Sequence, residues 1–341
     1  MAEATYKLNL PPRTFIRVGH AQLRSFAAAL ARGAGLVAER AHLLAGLLTA
    51  NDLRGVFSHG TRQLADYAPA LRGGELNADP QVAVLREGPA SLVLDGDGGL
   101  GYFSAYEGTL RAIEKARALG VAVLQTRNHG HIGAAGIYSR LPLEHDMVAF
   151  VTSGAELDLR PRQPVYTPAI GSPLSFAAPA GAAAPLVVDF SPVYDLRISP
   201  RWAELAEWIP GTIFRCIGLG TIAQVWGGLL AGLPAAGGHA RPRRYRGAGQ
   251  SALVVLFRID LFLEPAEFRA QMDLLAGQLK VLAPLHGFDS ASYAGDIERQ
   301  REREFRRLGI PLGPQHRREL EGVARELDID VPWEPNAGTD G

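Results

Sequence analysis

The stretch SLVLDGDGGLGYFSAYEGTLRAIEKARALGVAVLQ, Ser91 to Gln125, decides how the rest of the chain is read. Its residues spell strand, glycine loop, helix, strand, and Gly96, Gly98 and Gly101 stand at G-x-G-x-x-G spacing. Such a loop can bring backbone close to a pyrophosphate and offer it a helix N-terminus. Here Asp95 sits immediately before the first glycine, where its charge repels a phosphate. The second strand runs out into Gln125, Thr126 and Arg127, with no carboxylate to hold a ribose. No further strand–helix–strand series follows. The stretch is therefore expected to be a glycine-rich turn leading into an amphipathic helix.

Working outward, short strand-like runs bounded by Gly, Pro and Asp occupy the middle of the chain: Val82–Leu85, Met147–Thr152, LSFAA from Leu174, LVVDF from Leu186 and Ala252–Asp260. The N-terminal third is helical in pattern, with Ala- and Leu-rich segments over Ala21–Arg32 and Val37–Asn51. ERQREREFRRLGIPL and RRELEGVARELDI read as charged helices near the C-terminus. IGLGTIAQVWGGLLAGL, from Ile217 to Leu233, is expected to be a buried, glycine-broken helix, with no apolar run long enough to span a bilayer. The Arg-rich stretch Gly237–Gly249 reads as a surface loop. Expected domains are a helical one, residues 1–75 with 285–341, and a sheet-containing one, residues 76–284, with a disordered tail at 334–341. No internal repeat is visible.

Bulk composition narrows the function classes. The 341 residues are 47% hydrophobic and 21% charged, as expected for a chain with a large core. Formal net charge is +0, so there is no electrostatic footprint for nucleic acid or an anionic membrane. The single cysteine, Cys216, excludes a disulfide framework and suits a reducing cytosol. The first residues, MAEATYKLNLPPRTFIRV, lack a charged-then-apolar leader pattern, which leads to the expectation of a cytoplasmic protein.

Two histidine clusters carry the candidate chemistry: Ser58-His59-Gly60, and His129 with His131 in TRNHGHIGAAG. Imidazole titrates near neutrality and can exchange a proton with a carbonyl or hydroxyl oxygen, and flanking glycines allow a ligand to approach. No Asp or Glu completes a zinc spacing with these histidines, so no metal site is expected. Ser58 lacks the G-x-S-x-G elbow of a nucleophilic serine.

These segments taken together resemble the malate/L-lactate dehydrogenases of the non-Rossmann type. NDLRGVFSHG followed by QLADYAPALRGGELN, LDGDGGLGYFSA, TRNHGHIGAAGIYS and AGDIERQREREFRRLGIPL are similar to successive blocks of that family, over most of the chain. The resemblance implies a mixed α/β fold with a mostly antiparallel central sheet and flanking helices, in which the Asp-Gly-rich stretch is not a nucleotide loop. It implies an NAD- or NADP-dependent oxidoreductase acting on a small 2-oxo or 2-hydroxy acid or a cyclic imino acid. It also implies a homodimer whose active sites take groups from both subunits. Carried over by position, His59 and His131 are the acid–base candidates, with Ser58 orienting His59. Arg62, Gln63, Arg127 and Asn128 are the substrate-binding candidates. Val188, Asp189, Phe190, Ser191, Phe214, Arg215, Gly295 and Asp296 are the cofactor-binding candidates, with a helix beginning near Arg215.

The cofactor half departs from the family's pattern. Phe190-Ser191-Pro192 follows Asp189 where the family has a hydroxyl-rich run, Arg215 stands in place of a lysine, and the segment from Asp195 to Ile209 is short. Gln63 occupies the family's arginine position and Arg62 lies one place early. This pattern leaves two alternatives to a redox enzyme: non-redox proton transfer by the two histidines (isomerisation, cyclisation or elimination), and a binding protein without turnover.

Overall fold

The structure is a computed structural model and describes residues 9–235 and 243–334. The expected tail therefore lies outside the described residues apart from Glu334, as do residues 237–242 of the Arg-rich stretch. Packing divides the chain into two units: Pro80–Ile297, and the residues before and after it, 9–79 and 298–334.

The helical unit holds β1 (Ile16–Val18), α1 (His20–Gly33), α2 (Ala38–Leu53) and α3 (Leu64–Arg72). From the C-terminal part of the chain it takes α10 (Asp296–Leu308) from Glu298 onward, β9 (Ile310–Leu312) and α11 (Pro314–Leu327). β1 pairs antiparallel with β9, which joins the two ends of the chain. α1 and α2 bury Leu23, Phe26, Ala27 and Leu30, and Ala41, Leu44, Ala45 and Leu48, the i, i+3, i+4 and i+7 stripes of amphipathic helices. Phe57 stacks on Phe305 at 6.3 Å between ring centroids, fixing α10 against the turn after α2.

The sheet unit is built on seven strands in the order β2-β3-β4-β8-β5-β6-β7. They are β2 (Ala83–Glu87), β3 (Ser91–Asp95), β4 (Val121–His129), β5 (Met147–Ala155), β6 (Leu174–Ala178), β7 (Leu186–Phe190) and β8 (Gln250–Arg258). Only β3 and β4 are parallel; the other neighbours are antiparallel. This is the expected mixed, mostly antiparallel sheet. Helix α4 (Gly101–Leu119) links the parallel pair and buries Tyr102, Phe103, Ala105, Ala112, Ile113 and Ala116. It ends at Gly120, whose φ of 87° lets its N–H close on the Ala116 carbonyl at 2.7 Å.

The glycines of the opening stretch are packed against protein. A Cβ on Gly96 would lie 2.7 Å from the His129 Cβ, one on Gly99 2.5 Å from Pro80, and one on Gly101 2.6 Å from the Gly130 carbonyl. The Tyr245 ring fills the space beside Gly98. One β-α-β crossover is present, but its loop is occupied by the 128–132 segment and has no room for a pyrophosphate.

Beyond β7 lie the short helices α6 (Tyr194–Ile198) and α7 (Trp202–Trp208), then α8 (Pro210–Gly227). The sequence suggested a buried helix starting at Ile217. Instead the helix starts at Pro210 and buries one stripe, Ile213, Ile217, Gly220, Ala223, Gln224 and Gly227. Phe214 is 64% and Trp226 46% exposed. By length and composition alone, the 22-residue run Pro210–Ala231 is long enough to cross a membrane, with 39% of its most apolar window buried. The expectation that no run reaches that length is corrected. Gly218 and Gly220 leave the helix continuous, and it breaks off at Gly227-Gly228, as expected of a glycine-broken run; Gly220 and Gly227 let it press onto Ala169 and onto the Ser153–Gly154 backbone. Gln224 completes that contact, its Oε1 accepting from the Ala155 N–H and the Ser172 hydroxyl, both at 3.0 Å.

Helix α9 (Pro265–Lys280) was not anticipated. Its Asp273 carboxylate accepts the N–H groups of Gly181, Ala182 and Ala183 at 2.9–3.0 Å, which holds its pKa below the usual carboxylate range. α9 thereby staples the β6–β7 turn and draws the segment up to Asp296 into the sheet unit.

Candidate active site

In the helical unit the Ser58-His59-Gly60 turn is held from below by the last turn of α2. Asn51 and Asp52 are buried there. Asn51 Nδ2 donates to the His59 carbonyl at 2.9 Å, and Gln63 Nε2 donates to the Ser58 carbonyl at 2.6 Å. The Thr61 N–H and hydroxyl both donate to Asp52 Oδ2, at 2.9 and 2.7 Å. With Asp52 ionised, the single Thr61 hydroxyl hydrogen is given to the carboxylate and His316 donates its Nε2–H to Thr61 Oγ1 across 2.9 Å. Gly60 is required at its position: a Cβ would lie 1.7 Å from Asp52 Oδ1.

Burial sets the protonation of this group. Desolvation pushes the Asp52 carboxyl up to about 7, against the hydrogen bonds from Thr61. Desolvation, with the nearby Arg62 charge, pushes His316 down to about 3. Ser58 Oγ lies 2.8 Å from His59 Nδ1, and burial lowers the His59 pKa. The arrangement presents a neutral imidazole hydrogen-bonded at Nδ1 to a serine hydroxyl. Arg62 is paired with Glu319 at 2.6 Å, so a carboxylate of the chain already faces its guanidinium.

In the sheet unit the register of β4 against β8 shifts between Thr126 and His129. This bulge turns out Arg127 and Asn128. Asn128 takes φ 54°, and its Nδ2 donates to Asp95 Oδ1 at 2.7 Å, where the Asp97 N–H also donates. Arg127 is half-buried, and its guanidinium has no hydrogen-bond or ion-pair partner among the described residues. The two histidines of this cluster separate. His129 is fully buried, with Nδ1–H on the Gly130 carbonyl at 2.7 Å and Nε2 accepting from the Thr126 hydroxyl at 2.8 Å. Desolvation lowers its pKa to about 4, so it is neutral and structural. His131 is half-buried, and its carbonyl accepts the Gly101 N–H at 3.0 Å.

The cofactor candidates divide in the same way. Asp189 Oδ2 accepts the Gly136 N–H at 2.7 Å, at the start of the short helix α5 (Gly136–Arg140), so its carboxylate anchors the GAAG turn. Gly295, at φ 99°, packs where a Cβ would sit 2.3 Å from the Pro185 carbonyl. Asp296 is buried and bonded to Lys280 at 2.8 Å. These three serve the fold. Val188 and Phe190 lie on β7, the edge strand. Ser191 has a buried hydroxyl without a partner among the described residues. The Arg215 guanidinium is exposed and unpaired among the described residues, beside the exposed Phe214 ring. Arg215 lies inside α8, so its N–H belongs to the helix; the helix start is at Pro210. Val193 packs with Ile213 and Ile217, which brings the end of β7 to the first turns of α8. An orphaned hydroxyl, an unpaired guanidinium and exposed rings are the group types that phosphate and base contacts of a nucleotide use; Arg215 itself lies across α8 from the Ile213–Ile217 face that meets Val193. Of the basic residues expected in a loop, Arg243 is paired with Glu156.

Asn51, Asp52, Thr61, His316 and Glu319 were not anticipated as supports of the His59 turn. Two polar residues closing an otherwise apolar helix face at Asn51-Asp52 were the available signal; His316 is 255 residues from Thr61 and left none.

A family model described as malate/L-lactate dehydrogenase matches residues 18–193, slightly more than half of the chain. A malate dehydrogenase of Pyrococcus abyssi is 26% identical, over 92% of this chain and 96% of its own. An L-sulfolactate dehydrogenase of Methanocaldococcus jannaschii is 27% identical, over 87% and 93%. Among solved structures, malate dehydrogenase from Pyrococcus horikoshii OT3 superposes with a TM-score of 0.80 at 23% identity, covering 94% of this chain and 98% of that one.

Proposed function

The chain belongs to the malate/L-lactate dehydrogenase family, and from that premise we propose that it is an NAD- or NADP-dependent oxidoreductase that reduces a small 2-oxo acid or a cyclic imino acid, or oxidises the matching 2-hydroxy or amino acid. The observation that carries the proposal is the built-in support of His59: Ser58 Oγ at 2.8 Å from Nδ1, with Asn51 and Gln63 bonded to the turn's carbonyls. With Nδ1–H donated to Ser58, the lone pair lies on Nε2. Neutral His59 then accepts the hydroxyl proton as the acid is oxidised and returns it in reduction. His131 is the second acid–base candidate.

Arg127, half-buried and unpartnered, is assigned to the substrate carboxylate, with Asn128 beside it on the bulge. Arg62 and Gln63 are assigned to holding the turn, since both are engaged within it. Ser191, Phe190, Phe214 and Arg215 would hold the nicotinamide nucleotide, with Val188 on the same strand. When bound, the nicotinamide supplies or takes up hydride at the substrate carbon. Asp189, Gly295 and Asp296 act on that site only through the backbone they fix. A homodimer, placed in the cytoplasm, belongs to the same reading; the exposed apolar face of α8 supports it.

The test is NADH and NADPH oxidation by the purified protein with a panel of 2-oxo acids and a cyclic imino acid. His59→Ala and His131→Ala are expected to lower kcat by about 10²- to 10⁴-fold, and Arg127→Leu to raise KM. Absence of nucleotide binding at millimolar concentration overturns the redox reading. That result would favour non-redox proton transfer, which the internal engagement of Asp189 and Asp296 also supports.

A further inference from the structure

The helical unit contains a cavity of about 260 Å³ that shares no residue with the His59 turn. His20, Ala21 and Arg24 of α1 line one side, Gly46, Thr49, Ala50 and Leu53 of α2 another, and Arg306 of α10 closes it. The α2 residues recur at i, i+3, i+4 and i+7 and form one face. Asn51 and Asp52 point away from it, toward the catalytic turn.

Three observations agree on the sign of what this cavity accepts. The wall contains an imidazole and two guanidinium groups and no acidic residue. Arg24 has no hydrogen-bond or ion-pair partner among the described residues; Arg306 is shared with Glu302, its Nη2 at 2.6 Å from the carboxylate. Thr49 is 3% exposed, and its hydroxyl is buried without a hydrogen-bond partner among the described residues. Most buried hydroxyls are satisfied. His20 and Ala21 form the first turn of the 14-residue α1, which has no side-chain cap and no acidic residue there. Both residues line the cavity, and the first turn of a helix carries N–H groups without an intrahelical partner and the positive end of the helix dipole.

We propose that this cavity is a binding site for a small oxyanion, a phosphate or carboxylate group, held by Arg24, the first turn of α1 and the Thr49 hydroxyl. The volume admits such a group with a few further atoms and excludes a dinucleotide. The cavity shares no residue with those assigned to substrate or cofactor, and the proposal does not depend on the reaction assigned to them.

Calorimetric titration of the full-length protein with inorganic phosphate and with succinate, at constant ionic strength, tests this. Saturable binding of either is expected; the stronger of the two identifies the group recognised. Arg24→Gln should raise Kd about tenfold or more, and Thr49→Val about threefold. Arg215→Gln should leave Kd unchanged. Arg24 is exposed, so its substitution leaves the core intact; equal melting temperatures check both variants. Failure of both anions to saturate by about 50 mM, far weaker than a millimolar site, overturns the proposal. Binding that is lost in Arg215→Gln but kept in Arg24→Gln also overturns it.

Discussion

Thr61 is held to Asp52 through both of its donors, its N–H at 2.9 Å and its hydroxyl at 2.7 Å from Oδ2. The same hydroxyl oxygen meets His316 Nε2, so helix α2, the His59 turn and helix α11 meet in one buried polar group. Such a group rigidifies when all its members are satisfied and is costly when one is removed.

Thr61→Val keeps the shape and removes the hydroxyl. Asp52 then loses one donor, and His316 Nε2–H is left unpaired. A loss of about 2 kcal/mol in urea unfolding is expected, and Thr61→Ser should recover most of it. An unchanged midpoint for Thr61→Val would show that the hydroxyl contributes nothing.

Gly60→Ala places a methyl group on the Asp52 carboxylate. The carboxylate cannot retreat without breaking its bonds to Thr61. Destabilisation of about 3 kcal/mol is expected from overpacking. Activity should fall further than stability alone explains, as a drop in kcat measured where the variant is folded.

Acid stability follows from three buried groups. His129 and His316, lowered from 6.5 to about 4 and about 3, contribute stability that is present above pH 6.5 and lost as pH falls through those values. Asp52, raised from 3.8 to about 7, has the opposite sign: its contribution is full below pH 3.8 and lost as pH rises to 7. Between about pH 4.5 and 5.5 the two histidines outweigh the one carboxyl, so these groups give stability a slope of about 1 kcal/mol per pH unit, falling toward acid, and the slope fades toward pH 6.5. Asp52→Asn removes the opposing contribution and should roughly double that slope. Parallel urea midpoints for wild type and variant across this range would refute the assignment.

Gly101→Ala separates packing from phosphate binding. The added methyl meets the Gly130 carbonyl and the His129 ring at 2.6 Å, so about 2–3 kcal/mol of stability should be lost. NADH affinity of the folded fraction should stay within about threefold, under 1 kcal/mol. A large loss of affinity without loss of stability would return these glycines to a nucleotide-binding role.

Asp189→Asn tests positioning against direct contact. Loss of the carboxylate at the Gly136 N–H should cost about 1 kcal/mol, as loss of a helix cap does. The effect should appear in kcat, because the GAAG turn that follows His131 shifts. A change confined to nucleotide Kd would instead place Asp189 in contact with the cofactor.

Much of this protein follows from local pattern. Alternating runs such as Leu92 and Leu94 in β3 and the i, i+4 stripes of α1 and α2 are written in periodicity, because a strand or helix must bury one face. The motifs at Ser58-His59-Gly60 and Arg127–Gly136 supplied the candidates for chemistry, and Asp95 warned against a phosphate loop. What occupies that loop was settled only by folding: Pro80, Tyr245 and the 128–132 backbone fill the spaces beside its glycines. The division of two adjacent histidines into a structural His129 and a candidate His131 also required the fold, since burial and partner geometry, not residue type, set an imidazole's pKa. The same holds for Arg62 and Arg127. Both are arginines beside a histidine motif, yet Glu319, 257 residues away along the chain, engages only Arg62. Local sequence determines which elements form and which residues can react. Long-range contacts decide which of those residues remain available, because a side chain's charge and partners depend on what tertiary packing brings next to it.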